Sequence, residues 1–119
     1  MKRLLMLLVL GLLVACTKPV PTDHRDYIGL WEGPGMRLDI QPDGDSRYER
    51  EREGRSTRIS GPAHDFTTSG FKIGIGPLSA RFKVSRAPAQ VEGQWTMTVD
   101  GVALVRVRAY AEPGGGVRL

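Results

Sequence analysis

The chain has 119 residues, of which 40% are hydrophobic and 25% charged, and its formal net charge is +4. This length fits one small domain, and the 15 basic and 13 acidic residues beyond residue 15 are too nearly balanced to indicate a nucleic-acid partner. The single cysteine excludes a disulfide framework within the chain and a zinc site built on paired cysteines, and the two histidines, His24 and His64, argue against a multi-histidine metal site.

The first 15 residues have the composition of a secretory signal peptide. Lys2 and Arg3 precede an apolar run of eleven residues, from Leu4 to Val14, that only Gly11 interrupts. A transmembrane helix needs about 20 apolar residues, so this run is too short to span a bilayer as one. We therefore expect residues 1–15 to be a signal peptide.

The segment Leu13-Val14-Ala15-Cys16 resembles the lipobox of bacterial lipoproteins, in which a small residue precedes a cysteine. The resemblance implies cleavage after Ala15, a diacylglycerol thioether on Cys16, and acylation of the new N-terminus by a fatty acid such as palmitate. Lipidation would also explain a leftover thiol in an exported protein, and two or more acyl chains anchor stably where one does not. The alternative is an ordinary signal peptide followed by an incidental cysteine.

The residue after the cysteine bears on the membrane to which the protein is sent. Thr17 stands where an aspartate would resemble the retention signal of inner-membrane lipoproteins. The resemblance therefore implies the periplasmic face of the outer membrane rather than the inner membrane.

Residues 16–26 are expected to be the lipidated N-terminus and a tether. Pro19 and Pro21 favour an extended polyproline conformation, and the segment has no apolar periodicity. His24 lies between Asp23 and Arg25 and is expected to be solvated.

The domain is expected over residues 27–110 and is predicted to be all-β, because apolar residues alternate with polar ones and no long segment has helical periodicity. After a first strand at the start of the domain, the strand-like segments are residues 36–41, 46–53, 55–60, 71–76, 80–85, 95–99 and 102–108. Turns are indicated at residues 42–45, at Gly61-Pro62 and at Asp100-Gly101, the last a type I′ hairpin turn. This pattern predicts an antiparallel meander of about seven or eight strands, in a barrel or half-barrel. Residues 111–119 contain three consecutive glycines and are expected to be a flexible tail.

The segment Gly29-Leu30-Trp31 resembles the G-x-W signature in the first strand of lipocalins and their calycin relatives. The resemblance implies a lipocalin-like barrel in which Trp31 closes one end and an arginine of the last strand, Arg106 or Arg108, packs across it. An arginine over an indole gains about 0.5–2 kcal/mol, depending on exposure. The alternative is an open sheet or sandwich in which Trp31 is an ordinary core residue.

Arg106 is the preferred arginine, because it shares a strand face with Val102 and Leu104. Through the two-residue turn, that face continues into the face of Trp95, Met97 and Val99. Because an unpaired buried charge is costly, a carboxylate such as that of Glu32 or Asp39 is expected beside it. Residues 102–107 are apolar on both faces apart from this arginine, which predicts a central strand or a strand at the barrel seam.

Three segments of the domain are also similar to small proteobacterial lipoproteins of unknown function. They are residues 27–31, 70–74 and 95–101. This similarity implies a fold and a location but no activity.

The sequence offers few groups for catalysis. No serine lies in a G-x-S-x-G elbow, and Cys16 is expected to carry the lipid. His64 and Asp65 are adjacent, and neighbouring residues of a strand face opposite sides, so they could act together only at a turn, which Gly61-Pro62 would allow. The charged segment Glu49–Glu53 is interpreted as a solvated hairpin arm whose charges prevent edge pairing, with a recognition face for a charged partner as the alternative.

These observations together predict a non-enzymatic, membrane-anchored envelope lipoprotein that acts as a small binding or scaffolding domain and uses no cofactor or metal. Its partners would be the membrane, through the lipid on Cys16, and either an envelope protein or a small apolar ligand. The alternatives are a lipocalin-like carrier of a small apolar ligand and a periplasmic inhibitor of a lytic or proteolytic enzyme.

Overall fold

The computed structural model describes residues 19–110, and within them the chain forms eight antiparallel strands closed into a barrel. The strands are β1 (Gly29–Gly33), β2 (Met36–Ile40), β3 (Asp45–Arg52), β4 (Arg55–Thr67), β5 (Gly70–Ile73), β6 (Ala80–Val91), β7 (Gln94–Val99) and β8 (Val102–Arg108). Each strand pairs with the next along the chain, and β8 pairs with β1. The predicted all-β meander barrel is therefore confirmed.

The pairing of the first and last strands closes the barrel. Leu30 lies opposite Arg108, Trp31 opposite Arg106 and Glu32 opposite Val105, with a bulge between Leu30 and Trp31. Closure leaves β1 and β8 without free edges. The open sheet considered as an alternative is thus wrong, and β8 lies at the seam.

Three of the connections are two-residue turns in which a glycine follows an acidic residue. Glu53-Gly54, Glu92-Gly93 and Asp100-Gly101 all have positive φ at both positions, as type I′ turns require. Asp100 also binds the neighbouring strand, because its carboxylate accepts the Lys83 N–H at 2.8 Å and its own N–H donates to the Lys83 carbonyl. The sequence identified this last turn but not the other two.

The expected strand end at Gly61-Pro62 is wrong, because β4 continues through both residues. Gly61 pairs with Ser46 and Pro62 with Asp45 of β3, and Ala63 then pairs with Ile73 of β5. The strand thus changes partner here, as its first part pairs with β3 and its last part with β5. A proline fits at this point because its carbonyl accepts the Gly74 N–H at 3.0 Å and no ladder hydrogen bond from its own nitrogen is needed.

Strand β5 is shorter than its alternation predicts. It ends at Ile73, and a 3₁₀ turn over Gly76–Leu78 follows, so Ile75 is exposed instead of lying in the barrel. Strand β6 is longer than predicted, because it pairs with β5 from Ala80 to Lys83 and with β7 from Val84 onward.

The inside of the barrel is filled by the chain's own side chains. Among the residues with no exposed surface are Trp31, Leu38, Ile40, Val99 and Leu104. A row of aromatic rings also crosses the core, with centroids 4.6–5.4 Å apart, through Tyr48, Phe82, Phe71 and Phe66. Burying a large apolar side chain contributes about 1.5–3 kcal/mol, so this core is the main source of stability.

The segment before β1 is not the extended tether that was expected. Val20 is only 2% exposed and its N–H reaches the Pro42 carbonyl at 3.3 Å, and a 3₁₀ helix follows over Thr22–Tyr27. His24 is half-buried and stacks on Phe66 at 5.2 Å rather than being solvated. From Val20 onward the segment packs on the barrel, because it buries apolar surface there.

At the other terminus the described chain ends on the outside of the first two strands. The hydroxyl of Tyr110 donates to the Asp39 carboxylate at 2.7 Å. Burial and this hydrogen bond both raise the pKa of Tyr110. The predicted signal peptide, the tail over residues 111–119, and the proposed cleavage and lipidation positions Ala15 and Cys16 lie outside the described residues.

Candidate functional site

The barrel seam holds one arginine between two tryptophans. Arg106 lies opposite Trp31 in the β1–β8 ladder, and its guanidinium carbon is 6.0 Å from the centroid of that indole. The same carbon is 5.0 Å from the ring of Trp95 on β7. Both distances fall within cation–π range, so the guanidinium contacts two aromatic rings. We call Gly29, Trp31, Trp95 and Arg106 the closure cluster.

Gly29 is the member of the cluster that makes room for the arginine. A Cβ at this position would lie 2.5 Å from Arg106 Cδ and 2.9 Å from the Arg108 carbonyl oxygen. Its φ of +144° is also strained for any residue with a side chain. The glycine of the G-x-W segment is thus needed both for its backbone conformation and for the space above it.

Trp31 is fully buried, and its polar atom has a partner. The indole nitrogen donates to the Tyr27 carbonyl at 2.9 Å, which ties the segment before β1 to the barrel. A buried indole N–H without a partner would be costly, so this hydrogen bond is part of the reason that the ring can lie inside.

The carboxylate expected beside Arg106 is absent from the described residues. Glu32 pairs with Arg37 at 3.4 Å, and Asp39 accepts hydrogen bonds from Tyr110 and Gln41. Arg106 is only half-buried, so its charge keeps partial contact with solvent while the two indole faces stabilise it.

Trp95 was not expected as a partner of Arg106, although the residues that predict the contact are present in the sequence. Thr96 pairs with Val105 and Val99 with Val102 across the Asp100-Gly101 turn. Extending that register by one residue places Trp95 opposite Arg106. The turn type alone therefore predicts the contact.

His64 and Asp65 do come together, but through a bulge at Asp65 rather than a turn at Gly61-Pro62. Asp65 has a φ of +54°, and its carboxylate lies 3.5 Å from His64 Nδ1 and 3.5 Å from Lys72 Nζ. The hydrogen bond from His64 is the largest cause of the lowered pKa of Asp65, and Lys72 lowers it further. His64 Nε2 lies 2.9 Å from the Gly74 carbonyl oxygen, to which it donates in the tautomer that carries its proton there. Both ring nitrogens thus bind groups of the chain, and the histidine links β4 to the loop after β5.

The charged hairpin formed by β3 and β4 has the solvated character that was expected of it. Glu51, Arg52 and Glu53 are exposed, and Glu49 forms an ion pair with Arg58 of the facing strand at 3.7 Å. An exposed pair of this kind contributes at most about 1 kcal/mol.

A second surface feature is lined by residues of β4, β5 and β6. It is a hollow of about 670 Å³ whose charged lining residues are Asp65, Lys72, Arg81 and Lys83, and whose lining also includes Phe66, Phe71 and Phe82. Thr67 and Ser69 add hydroxyl groups at its edge. We call it the basic hollow, because three cations face one carboxylate.

Within residues 19–110, no helix is long and apolar enough to cross a bilayer. In the same residues, no group of three or more histidine, cysteine, aspartate or glutamate side chains is placed to hold a metal ion.

The closed eight-stranded meander is compatible with a lipocalin-like barrel. Comparison with models of protein families, with curated proteins and with solved structures finds no match to this chain.

Proposed function

We propose that the protein is a non-enzymatic lipoprotein of the bacterial envelope, similar to the small proteobacterial lipoproteins of unknown function. It is held at the membrane by lipid on Cys16, and its lipocalin-like barrel serves as a binding or scaffolding domain. The observation that carries the proposal is the filled barrel interior, because it favours recognition by the outer surface over enclosure of a ligand. The N-terminal sequence supports the anchor, and Thr17 supports the outer membrane as its site.

The carrier alternative requires a cavity inside the barrel. The inward-facing side chains Trp31, Leu38, Ile73 and Leu104, which come from four different strands, have no exposed surface. A barrel of eight strands is just wide enough for its own side chains to fill, or for one small ligand. The first of these two cases fits the burial found here.

The hydrogen bonds of His64 also support a non-enzymatic role. A general base needs a free ring nitrogen within reach of its substrate. Nε2 is bound to the Gly74 carbonyl, and Nδ1 faces the Asp65 carboxylate. The contact with the Gly74 carbonyl gives His64 a structural role, because it holds the loop after β5 against β4.

The filled interior predicts that the purified protein carries no apolar cargo. Native mass spectrometry of the full chain released from detergent should show the mass of the lipidated protein alone, and solvent extraction should recover no second apolar molecule in stoichiometric amount. If one apolar molecule per chain stays bound after the detergent is removed, the carrier function is supported and the scaffolding function is contradicted. The closure variant Trp31→Ala, which opens space inside the barrel, provides the matched comparison for cargo uptake.

The lipid anchor predicts that Cys16→Ser abolishes incorporation of a labelled fatty acid and leaves the signal peptide uncleaved. Metabolic labelling followed by intact mass determination measures both changes. Thr17→Ser is the control, since it changes the next residue and leaves the thiol in place, and it should be labelled like the parent chain. A parent chain that takes up no label would contradict the anchor.

A further inference from the structure

The loop between β5 and β6 exposes two large apolar side chains on one tight turn. Ile75 is 71% exposed and Leu78 is 83% exposed. The Leu78 N–H donates to the Ile75 carbonyl at 3.0 Å, so the two residues lie at either side of a single turn around Gly76-Pro77. Isolated apolar residues are common on surfaces, whereas these two lie together on one turn and form a small exposed apolar patch.

Basic residues flank this apolar turn at its base. Lys72 is three residues before Ile75, Arg81 is three residues after Leu78, and the two cations lie directly opposite each other in the β5–β6 ladder. Like charges in that position destabilise a sheet. Asp65 compensates Lys72, whereas the side chains of Arg81 and Lys83 have no ion pair or hydrogen bond among the described residues. The side chains of Arg81 and Lys83 in the basic hollow are therefore available to bind an anionic partner.

The start of the described chain packs on the barrel near the same loop. Val20 is bound to Pro42, and two residues further on the Gly44 carbonyl accepts the Ala63 N–H at 2.8 Å. The adjacent residue of β4, Pro62, accepts the Gly74 N–H at 3.0 Å. Gly44 and Gly74 thus lie on either side of one short stretch of β4, about two strand spacings or roughly 10 Å apart. The contact of Val20 with Pro42 is two residues from the first, and Ile75 is next to the second.

Chain length then limits where the anchor can be. Cys16 is four residues before Val20, and four residues span at most about 14 Å. A lipid on Cys16 would therefore enter the bilayer within about 14 Å of Val20, which limits how far the bilayer can be from the loop between β5 and β6.

We propose that this loop is a second membrane contact, in which Ile75 and Leu78 enter the bilayer surface and Arg81 and Lys83 bind the phosphates of anionic lipid headgroups. An apolar tip with basic residues at its base matches the two layers of such a surface, the acyl chains and the charged headgroups. This inference rests on the proposed lipid on Cys16, and it adds an orientation, with the β4–β6 side of the barrel against the membrane.

The test uses the full lipidated chain in vesicles of phosphatidylcholine with and without phosphatidylglycerol. Because the lipid occupies Cys16, Leu78→Cys introduces a single free thiol for an environment-sensitive fluorophore. The fluorophore should shift to the blue and be quenched by lipids brominated in their acyl chains, most strongly in the anionic vesicles. Val91→Cys is the matched control, because Val91 is 55% exposed next to the β6–β7 turn and its fluorophore should remain in water.

A double substitution, Arg81→Gln with Lys83→Gln, tests the headgroup contact and should remove most of the quenching at position 78. Circular dichroism of each variant establishes that the barrel is retained. A chain that floats with vesicles while its position-78 fluorophore stays in water, or is quenched equally with and without anionic lipid, would overturn this inference and leave the anchor intact. A chain that floats with neither kind of vesicle would overturn both.

Discussion

Trp31→Ala should lower the free energy of unfolding by about 3–5 kcal/mol, the range found when a large buried aromatic residue is truncated. The indole has no exposed surface, contacts the guanidinium of Arg106, and donates a hydrogen bond to the Tyr27 carbonyl. The variant loses all three contributions and leaves a cavity at the seam. Since small domains are stable by about 5–15 kcal/mol, this loss is a large share of the total.

Urea unfolding of the full chain in mild detergent, followed by far-ultraviolet circular dichroism, measures this loss. Trp95→Ala is the matched control, because it removes the same residue type from the other face of Arg106 but at a half-buried position. Trp95→Ala should lower the free energy of unfolding clearly less than Trp31→Ala does. Equal losses for the two variants would mean that burial of Trp31 inside the barrel is not what stabilises the seam.

Gly29→Ala is expected to be the second most damaging change, with a loss of at least about 2 kcal/mol from steric crowding and backbone strain together. The added methyl group would lie 2.5 Å from Arg106 Cδ and 2.9 Å from the Arg108 carbonyl oxygen, on a backbone with a φ of +144°. The arginine side chain can move aside, but only by leaving the Trp31 ring. The backbone carbonyl cannot move without disturbing the β1–β8 ladder.

The control for Gly29→Ala is Gly54→Ala. Gly54 also has a positive φ, +78°, but an added Cβ there would have no heavy atom within 4 Å. Its substitution should therefore show the conformational cost alone, and the same urea titration compares the two. Combining Gly29→Ala with Arg106→Ala should recover part of the stability, because the side-chain clash is then removed. If Gly29→Ala lowers the free energy of unfolding no more than Gly54→Ala does, the close approach of Arg106 and Arg108 to Gly29 is contradicted.

Several features of the barrel could be predicted from the sequence because they depend on residues close together in the chain. Alternation in segments such as Met36–Ile40 reflects which face of a strand is buried, and Asp100-Gly101 specifies a turn through its own backbone preference. The same local register assigns Arg106 to the inner face. With G-x-W at the start of the domain, these patterns predicted a meander in a barrel or half-barrel, and they left open whether the last strand is central or lies at the seam.

Other features were decided only by the tertiary structure, because they depend on contacts between distant parts of the chain. Gly61-Pro62 has the local character of a strand end, yet β4 continues through it since β3 and β5 pair with successive parts of the same strand. Val20 and His24 look like parts of a solvated tether, yet the end of the barrel gives them apolar surface to cover.

The same distinction applies to the two sites. Arg106 needs no carboxylate because strands β1 and β7 bring an indole to each side of it, and only closure of the barrel makes both indoles available. Strand β5 ends early because Gly74 approaches Gly61 of β4 and Pro62 binds the Gly74 N–H. The exposed turn with Ile75 and Leu78 follows from this early end, so alternation in the sequence could not predict it. Local alternation determined which strand faces could be buried, and barrel closure determined which residues meet across the seam and which apolar residues remain outside.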